Sequence, residues 1–458
     1  MAPVNANIII DIQTAKAQAE LKALQAQVTA LNASMVSTSA AKGFNFGRAM
    51  GVSSGEIQKI TSATSALNKQ LISEIGDKPF LYYVEQFGAI GKVVGQDEGY
   101  ENSSFLNNML ETTKEKIRNK QGIVLIVAHT ESTIEVSSFI HLHKSLREQN
   151  ISPDRVTYIM GNNWSVGIEY NNWCDKNNFH QRLTLINCYE QVHNKGMQLL
   201  KSEDNGNTFV SDKEFQDKSK KRKHQLVCLN RRIRPHRYAM IAMLHHNNLL
   251  ENNLVSFSLE TGKDLNCMGV KGRPDIDTMR KICGNRELME TYMSYYDELD
   301  EMSPRTIDFD NLQEIMGIGF EQKQPYLDSY FSIVTETGFP EPTKFATEKV
   351  FRPMLHFHPF IVYGSHGTLK MLKELGFKTF SPFIDESYDE EESSFKRMQK
   401  ITSEVKRICS MSQDEMHEWY YEMQDILIHN RELIKKYGER YHESQREVID
   451  NAYEELMK

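Results

Sequence analysis

Glu336 closes the apolar run SYFSIVTE, and Thr347-Glu348-Lys349 then stands at what reads as a helix start, ahead of a second apolar run, PFIVYG, at residues 359–364. In an extended strand side chains alternate, so Ser332, Val334 and Glu336 share one face and Phe331, Ile333 and Thr335 the other. Glu336 then sits at the carboxyl edge of a sheet, where open α/β sheets bind ligands. A carboxylate there can accept hydrogen bonds from sugar hydroxyls; a strand-end acid facing water is the plainer alternative. Thr347 is suited to cap a helix. The amino end of a helix carries unsatisfied N–H groups and a partial positive charge, so it holds anions. Lys349 in the first turn is repelled by that positive end, which a phosphate beside it would relieve, the plainer alternative being an ordinary first-turn lysine. Pro353 requires that helix to kink or end early.

A second basic group, Arg231, Arg232, Arg234 and Arg237 in LNRRIRPHR, also lies where a strand hands over to a helix. Arginine is suited to bidentate phosphate contact, the alternative being solvent-facing loop side chains. Asp275-Ile276-Asp277 and Asp308-Phe309-Asp310 have the Asp-x-Asp form that a divalent cation can use, but neither has supporting ligands nearby, and no metal is expected. No P-loop and no HExxH is present.

These residues need strands and helices in alternation to position them, and the sequence supplies two such series. GIVLIVAH, VTYIMG and LTLINCY read as strands buried on both faces. Between the first two, Ile134, Phe139, Leu142 and Leu146 share a helical face. The basic run at residues 218–224 reads as a solvated linker, with a basic patch for an anionic polymer as the alternative. Beyond it come the strand HQLVCLN, a helix with Pro235 in its first turn, the strand LVSFSLE and an irregular acidic stretch. SYFSIVTET, ATEKVFRPMLHF, PFIVYG, the helix TLKMLKELG and a short strand KTFSPF complete the second series. The remainder is helical, opened by a capping box at Ser412 and Glu415, with Met416, Trp419, Met423, Ile426 and Leu427 on one apolar face. The expectation is an α/β chain of two Rossmann-like domains with a cleft between them, bounded at residues 78–217 and 218–400. A helical extension precedes them at 1–72 and carboxy-terminal helices follow at 401–458.

The extension is rich in Ala, Gln, Ser and Thr. Ala17, Leu21, Leu24, Val28 and Leu31 make a stripe that needs a partner, which suggests self-association. A formal charge of -8 and a pI near 6.0 argue against a protein devoted to gripping nucleic acid. Six scattered cysteines without a CxxC pair fit a reducing compartment and no structural zinc. Without a basic amino-terminal leader, or an apolar run near the roughly 20 residues that span a bilayer, the chain reads as cytoplasmic.

Two resemblances follow from the residues quoted. The segment from Asn5 to Leu71 resembles the start of phage tail tape-measure proteins, with their short strand and Ala/Gln/Leu helix. SYFSIVTET, FATEKVFRPML and PFIVYG resemble, in order and spacing, the donor-binding core of the alpha-1,3-fucosyltransferase family. The likeness extends faintly over the second half and includes CLNRRIRPHR. It implies a GT-B architecture whose second domain binds a nucleotide diphosphate sugar, GDP being favoured, and transfer with inversion and without a metal or other cofactor. Carried over by position, Asn230, Glu336 and Glu348 contact the donor, Lys349 holds the diphosphate and Arg237 assists it, with Lys349 and Arg237 expected to line a surface cleft. Thr337 stands where the motif has Asn, Phe351 where it has Trp, and Pro353 is an addition, which puts the donor sugar and retention of activity in question. Inversion needs a general base on the acceptor hydroxyl of a glycan or other molecule. Glu131, in AHTEST after the first buried strand, is the first candidate, with Glu169 and Glu190 as alternatives. If phage-encoded, the protein works in the host cytoplasm. The rival reading is a phage structural or assembly protein that keeps such a fold without activity, and nucleotide binding separates the two.

Overall fold

GIVLIVA forms a strand with Ile123, Val124, Leu125 and Ile126 all buried, as an apolar run covered on both faces requires. The computed structural model describes residues 7–10, 76–77, 80–86, 106, 109–128, 136–160, 166–187, 189–205, 208–230, 233–259, 273–307, 322–339, 346–441 and 443. They divide into two compact units. Up to residue 187, with residue 443, they belong to the first unit, and residues 189–441 form the second.

In the first unit β1 (Asn7–Ile10), β2 (Phe80–Gln86), β3 (Gly122–Ala128), β4 (Val156–Met160) and β5 (Thr184–Asn187) lie side by side in that order. β1 runs antiparallel to β2 and the rest are parallel. The expected amino-terminal strand is therefore present and pairs into this sheet, with Asn7 opposite Val84; the rest of the expected extension, at 11–72, lies outside the described residues. The Ala17 to Leu31 stripe lies outside the described residues, as does Ile134. Helices α1 (Glu111–Arg118), α2 (Val136–Glu148) and α3 (Val166–Lys176) connect the strands. Phe139, Leu142 and Leu146 of α2 are buried as their spacing predicts. Phe139 meets Tyr158 edge to face at 5.0 Å.

The second unit contains α4 (Glu190–Asn205), β6 (His224–Leu229), α5 (Pro235–His246), β7 (Leu254–Ser256), α6 (Ile276–Cys283), α7 (Arg286–Ser294) and β8 (Ser329–Thr335). It continues with α8 (Glu348–Leu355), β9 (Phe360–Tyr363), α9 (Thr368–Glu374), α10 (Ser394–Cys409), α11 (Gln413–Glu422) and α12 (Gln424–Glu439). Its sheet has the order β7-β6-β8-β9, all parallel. The strand expected at KTFSPF is absent. Phe380 N–H and Thr379 Oγ1 donate instead to the Glu386 carboxylate, at 2.6 and 2.8 Å, which holds that segment in an irregular turn.

Three boundary expectations differ from the structure. The carboxy-terminal helices join the core of the second unit, with Ile401, Val405, Trp419, Tyr420, Leu427 and Ile434 in one apolar cluster with β6 and β8. The second unit begins at α4, ahead of residue 218, because α4 crosses α12 where two glycines meet. A Cβ on Gly196 would lie 2.3 Å from the Gly438 nitrogen. The basic run is no free linker either: Arg222 is buried, donating to the Tyr326 and Ser329 carbonyls and to Tyr420 Oη at 2.6 Å, while Lys221 pairs with Asp414.

Candidate functional site

From β6 the chain passes through α5 to β7 on one side, and β8 returns to the other side of β6. The loops leaving the carboxyl ends of β6 and β8 therefore diverge, the topological switch point at which parallel sheets form a ligand crevice. Most of the chemistry-bearing residues singled out by the sequence flank this one point. Asn230, Arg234 and Arg237 follow β6, and Glu336, Thr347, Glu348 and Lys349 follow β8.

Thr347 caps α8, its hydroxyl accepting the Lys349 N–H at 3.3 Å. Pro353 lies inside α8, where it leaves the Lys349 carbonyl without its helical donor, and the helix ends two residues later, at Leu355. The helix start is bracketed by Glu336. One carboxylate oxygen accepts Thr347 N–H at 3.1 Å; the other accepts Thr347 Oγ1–H at 2.7 Å and Thr337 N–H at 3.3 Å. Glu336 is fully buried, so it serves the loop that carries Thr347 instead of presenting itself to a sugar. Burial pushes its carboxyl up, against the pull of Lys349 and the Thr347 bonds. Gly364 leaves room for it: a Cβ there would stand 3.1 Å from that of Glu336.

Lys349 is the accessible cation of this group, its side chain 27% exposed. Its ammonium donates to Thr347 Oγ1 at 3.1 Å and to Glu348 Oε1 at 2.9 Å. Burial alone would raise the Glu348 carboxyl, but Lys349 and Arg352 outweigh it and hold the group below its ordinary value, so Glu348 is ionised at neutral pH.

Across the switch point the basic residues face inward. Arg237 is buried, and its guanidinium donates to the Thr335 and Glu336 carbonyls at 3.3 and 3.2 Å. Burial and the nearby Arg234 bring it down to about 10, partly countered by Glu336 and Glu348, so it stays charged at neutral pH. The expectation that Arg237 lines a surface cleft is thus corrected: the β8 exit has no further strand residues to satisfy its carbonyls, and the guanidinium does so. Arg234 donates to the Thr337 carbonyl at 3.1 Å. Asn230 is buried as well, accepting from Thr335 Oγ1 and donating its backbone N–H to the Ser256 carbonyl at 3.1 Å, which ties β6 to β8 and β7. Arg231 and Arg232 lie outside the described residues.

Sequence reasoning missed His236, Phe339, Tyr363 and Arg397. His236 Nε2–H donates to the Glu336 carbonyl at 2.9 Å; Phe339 and Tyr363 stack at 4.0 Å beside it. Arg397, from α10, donates to the carbonyls of Gly364 and Phe339. Only the LNRRIRPHR cluster hinted at His236; nothing local marked Arg397, which arrives from a distant helix. Of the proposed bases, Glu131 lies outside the described residues, Glu169 is exposed on α3, and Glu190 is the first residue of α4. Asp275 caps α6 through Thr278 N–H at 2.8 Å, and Asp277 pairs with Arg280 at 3.1 Å; Asp308 and Asp310 lie outside the described residues.

No protein-family model matches the chain, and no curated protein does. Among solved structures it is similar to the trehalose-6-phosphate synthase OtsA, at 10% identity and a TM-score of 0.29, over 71% of this chain and 72% of that one. A likeness of this extent fixes neither family nor activity. No helix among the described residues is long and apolar enough to cross a membrane.

Among the described residues the site therefore offers the Lys349 ammonium at the amino end of an eight-residue helix, backed by a buried guanidinium whose charge is retained. Such an arrangement suits a multiply charged anion, for which the helix end, Lys349 and the field of Arg237 all act in the same direction.

Proposed function

We propose that the protein is a glycosyltransferase of GT-B type that binds a nucleotide diphosphate sugar, GDP-linked by preference, at the β6/β8 switch point and transfers the sugar with inversion to a hydroxyl acceptor. The observation that carries this reading is Lys349, held partly exposed on a capped helix end beside the carboxyl edges of β6 and β8. In the reaction the acceptor oxygen attacks the anomeric carbon, the bond to the diphosphate breaks, and the nucleoside diphosphate leaves with the electron pair. Lys349 and the α8 amino end stabilise the negative charge that develops there. Glu336 and Arg237 act behind them, the first by fixing Thr347 and the second through its charge and its hold on the β8 exit. The acceptor's proton needs a base, for which Glu131 is proposed. A metal is not called for, because the cationic groups supply the stabilising charge.

A second reading has one observation in its favour. Lys349 already pairs with Glu348, and Glu336 with Thr347, so the site is self-satisfied, as a structural protein that retains the fold without the activity would also have it. GDP release from GDP-sugars in the presence of alcohol or glycan acceptors separates the two. Release that falls at least about tenfold in Lys349→Ala, the worth of one charged contact, supports the transferase. No release from GDP-, UDP- or ADP-sugars supports the structural reading.

A further inference from the structure

The Glu336 backbone is held on both sides. Its N–H donates to the Tyr363 carbonyl of β9 at 3.0 Å, and its carbonyl receives His236 Nε2–H at 2.9 Å and Arg237 Nη2–H at 3.2 Å. Through its side chain the same residue fixes the Thr347 N–H and hydroxyl, and Thr347 in turn contacts the Lys349 ammonium. The imidazole thus sits at the head of a chain of contacts that runs from the start of α5 to the start of α8. Its ring lies near-parallel to Phe339 and Tyr363, with centroids 6.2 and 6.1 Å away, so it cannot swing aside without disturbing that stack.

We infer that His236 is a positioning residue for the α8 anion site: by donating to the Glu336 carbonyl it sets where the Glu336 carboxylate holds Thr347, and so where Lys349 is presented. The Arg237 bonds spread over two carbonyls at 3.2 and 3.3 Å, whereas the imidazole makes one shorter contact with Glu336 alone, from a ring clamped by its neighbours. Removing it leaves the Glu336 carbonyl to the longer Arg237 bond alone, and the bracket loosens while the Glu336 N–H stays paired with β9. The inference rests on the nucleotide-donor reading only for its ligand, and its structural content can be measured without one.

The test compares H236F, which keeps a stacked ring but loses the donor, with H236Q, whose amide nitrogen can take the place of Nε2. Amide hydrogen exchange at Thr347 and Lys349 is measured against the amides of β8 and β9, and GDP affinity is measured by titration. H236F is expected to speed Thr347 exchange about tenfold with β8 and β9 unchanged and to weaken GDP by a similar factor, from the loss of one buried hydrogen bond. H236Q is expected to restore both to within about threefold. If the protein binds no GDP, the donor reading fails, and selective exchange at Thr347 with rescue by H236Q still supports the positioning role. Unchanged Thr347 exchange in H236F overturns it. So does a uniform rise through β8 and β9 that H236Q does not repair, which would make His236 an ordinary core residue.

Discussion

Thr347→Val is the substitution that most directly probes the bracket at the start of α8. Valine has nearly the shape of threonine, so the 3%-exposed site neither collapses nor overfills, and the change reports on the hydroxyl alone. Three contacts go with it: the 2.7 Å bond to the Glu336 carboxylate, the 3.3 Å cap on Lys349 N–H and the 3.1 Å contact to its ammonium. A lost cap costs about 1 kcal/mol, and loss of the hydrogen bond to the buried Glu336 carboxyl about 1–3 kcal/mol. The terms overlap, because one hydroxyl serves both, and a loss of about 2–3 kcal/mol is expected. Urea unfolding of the second unit at neutral pH measures it, with Thr347→Ser as the control that keeps the hydroxyl. The pH dependence has a definite sign. The folded-state value of Glu336 lies above its ordinary 4.5, so its contribution is fully present below that pH and is lost as pH rises through the folded value. The valine removes a bond that favours the ionised form. The deficit should therefore be smallest below pH 4.5 and grow as pH rises through the folded value. A deficit under about 0.5 kcal/mol at neutral pH, or equal losses in the serine and valine variants, would refute the bracket.

Gly438→Ala should destabilise the second unit by about 1–3 kcal/mol or more, since its Cβ would stand 2.3 Å from the Gly196 carbonyl carbon and backbone must move; a melting temperature unchanged within error contradicts the close crossing. His236 is buried and neutral, lowered to about 3 by burial and then by Arg237 and Arg234. A depressed histidine is stabilising above its ordinary 6.5 and loses that contribution as pH falls from there toward 3, at up to about 1.4 kcal/mol per unit. The acid limb of stability should consequently flatten in H236F; an unaltered limb shows that the imidazole is not the group responsible. Tyr420→Phe keeps the ring beneath the Arg222 guanidinium, 4.1 Å away, but removes the hydroxyl that accepts from Arg222 and donates to the Phe357 carbonyl at 2.7 Å. A cost of about 1–3 kcal/mol in urea unfolding is expected, and a change under 0.5 kcal/mol on that roughly estimated scale says the buried network is dispensable.

The strands and helices around the site were legible because their signals are local. SYFSIVT is apolar enough to be buried on both faces, Thr347 has the chemistry of a cap, and Pro235 fits a first helical turn. Which way a polar side chain turns is not local. The arginines after β6 were read as facing a ligand, yet Arg234 and Arg237 turn to carbonyls about a hundred residues further along the chain. The unmatched carbonyls they satisfy exist only once β6 and β8 are adjacent. Glu336 was placed correctly at the strand end and misread as exposed for the same reason, its partners Thr347 and Lys349 folding back over it. The unit boundary was missed because the basic run looked like a linker in composition, while the decisive contact joins two lone glycines, Gly196 and Gly438, that carry no pattern at all.

The β6/β8 switch point of the second unit is proposed to bind a nucleoside diphosphate through Lys349. Calorimetric titration of GDP, UDP and ADP into the intact protein and into Lys349→Ala tests it most directly. Saturable binding is expected, strongest for GDP and weakened about 10- to 100-fold in the variant, as the loss of a charged phosphate contact of about 1.5–3 kcal/mol implies. Heat changes indistinguishable from dilution for all three nucleotides, or equal affinity in the two proteins, would contradict it.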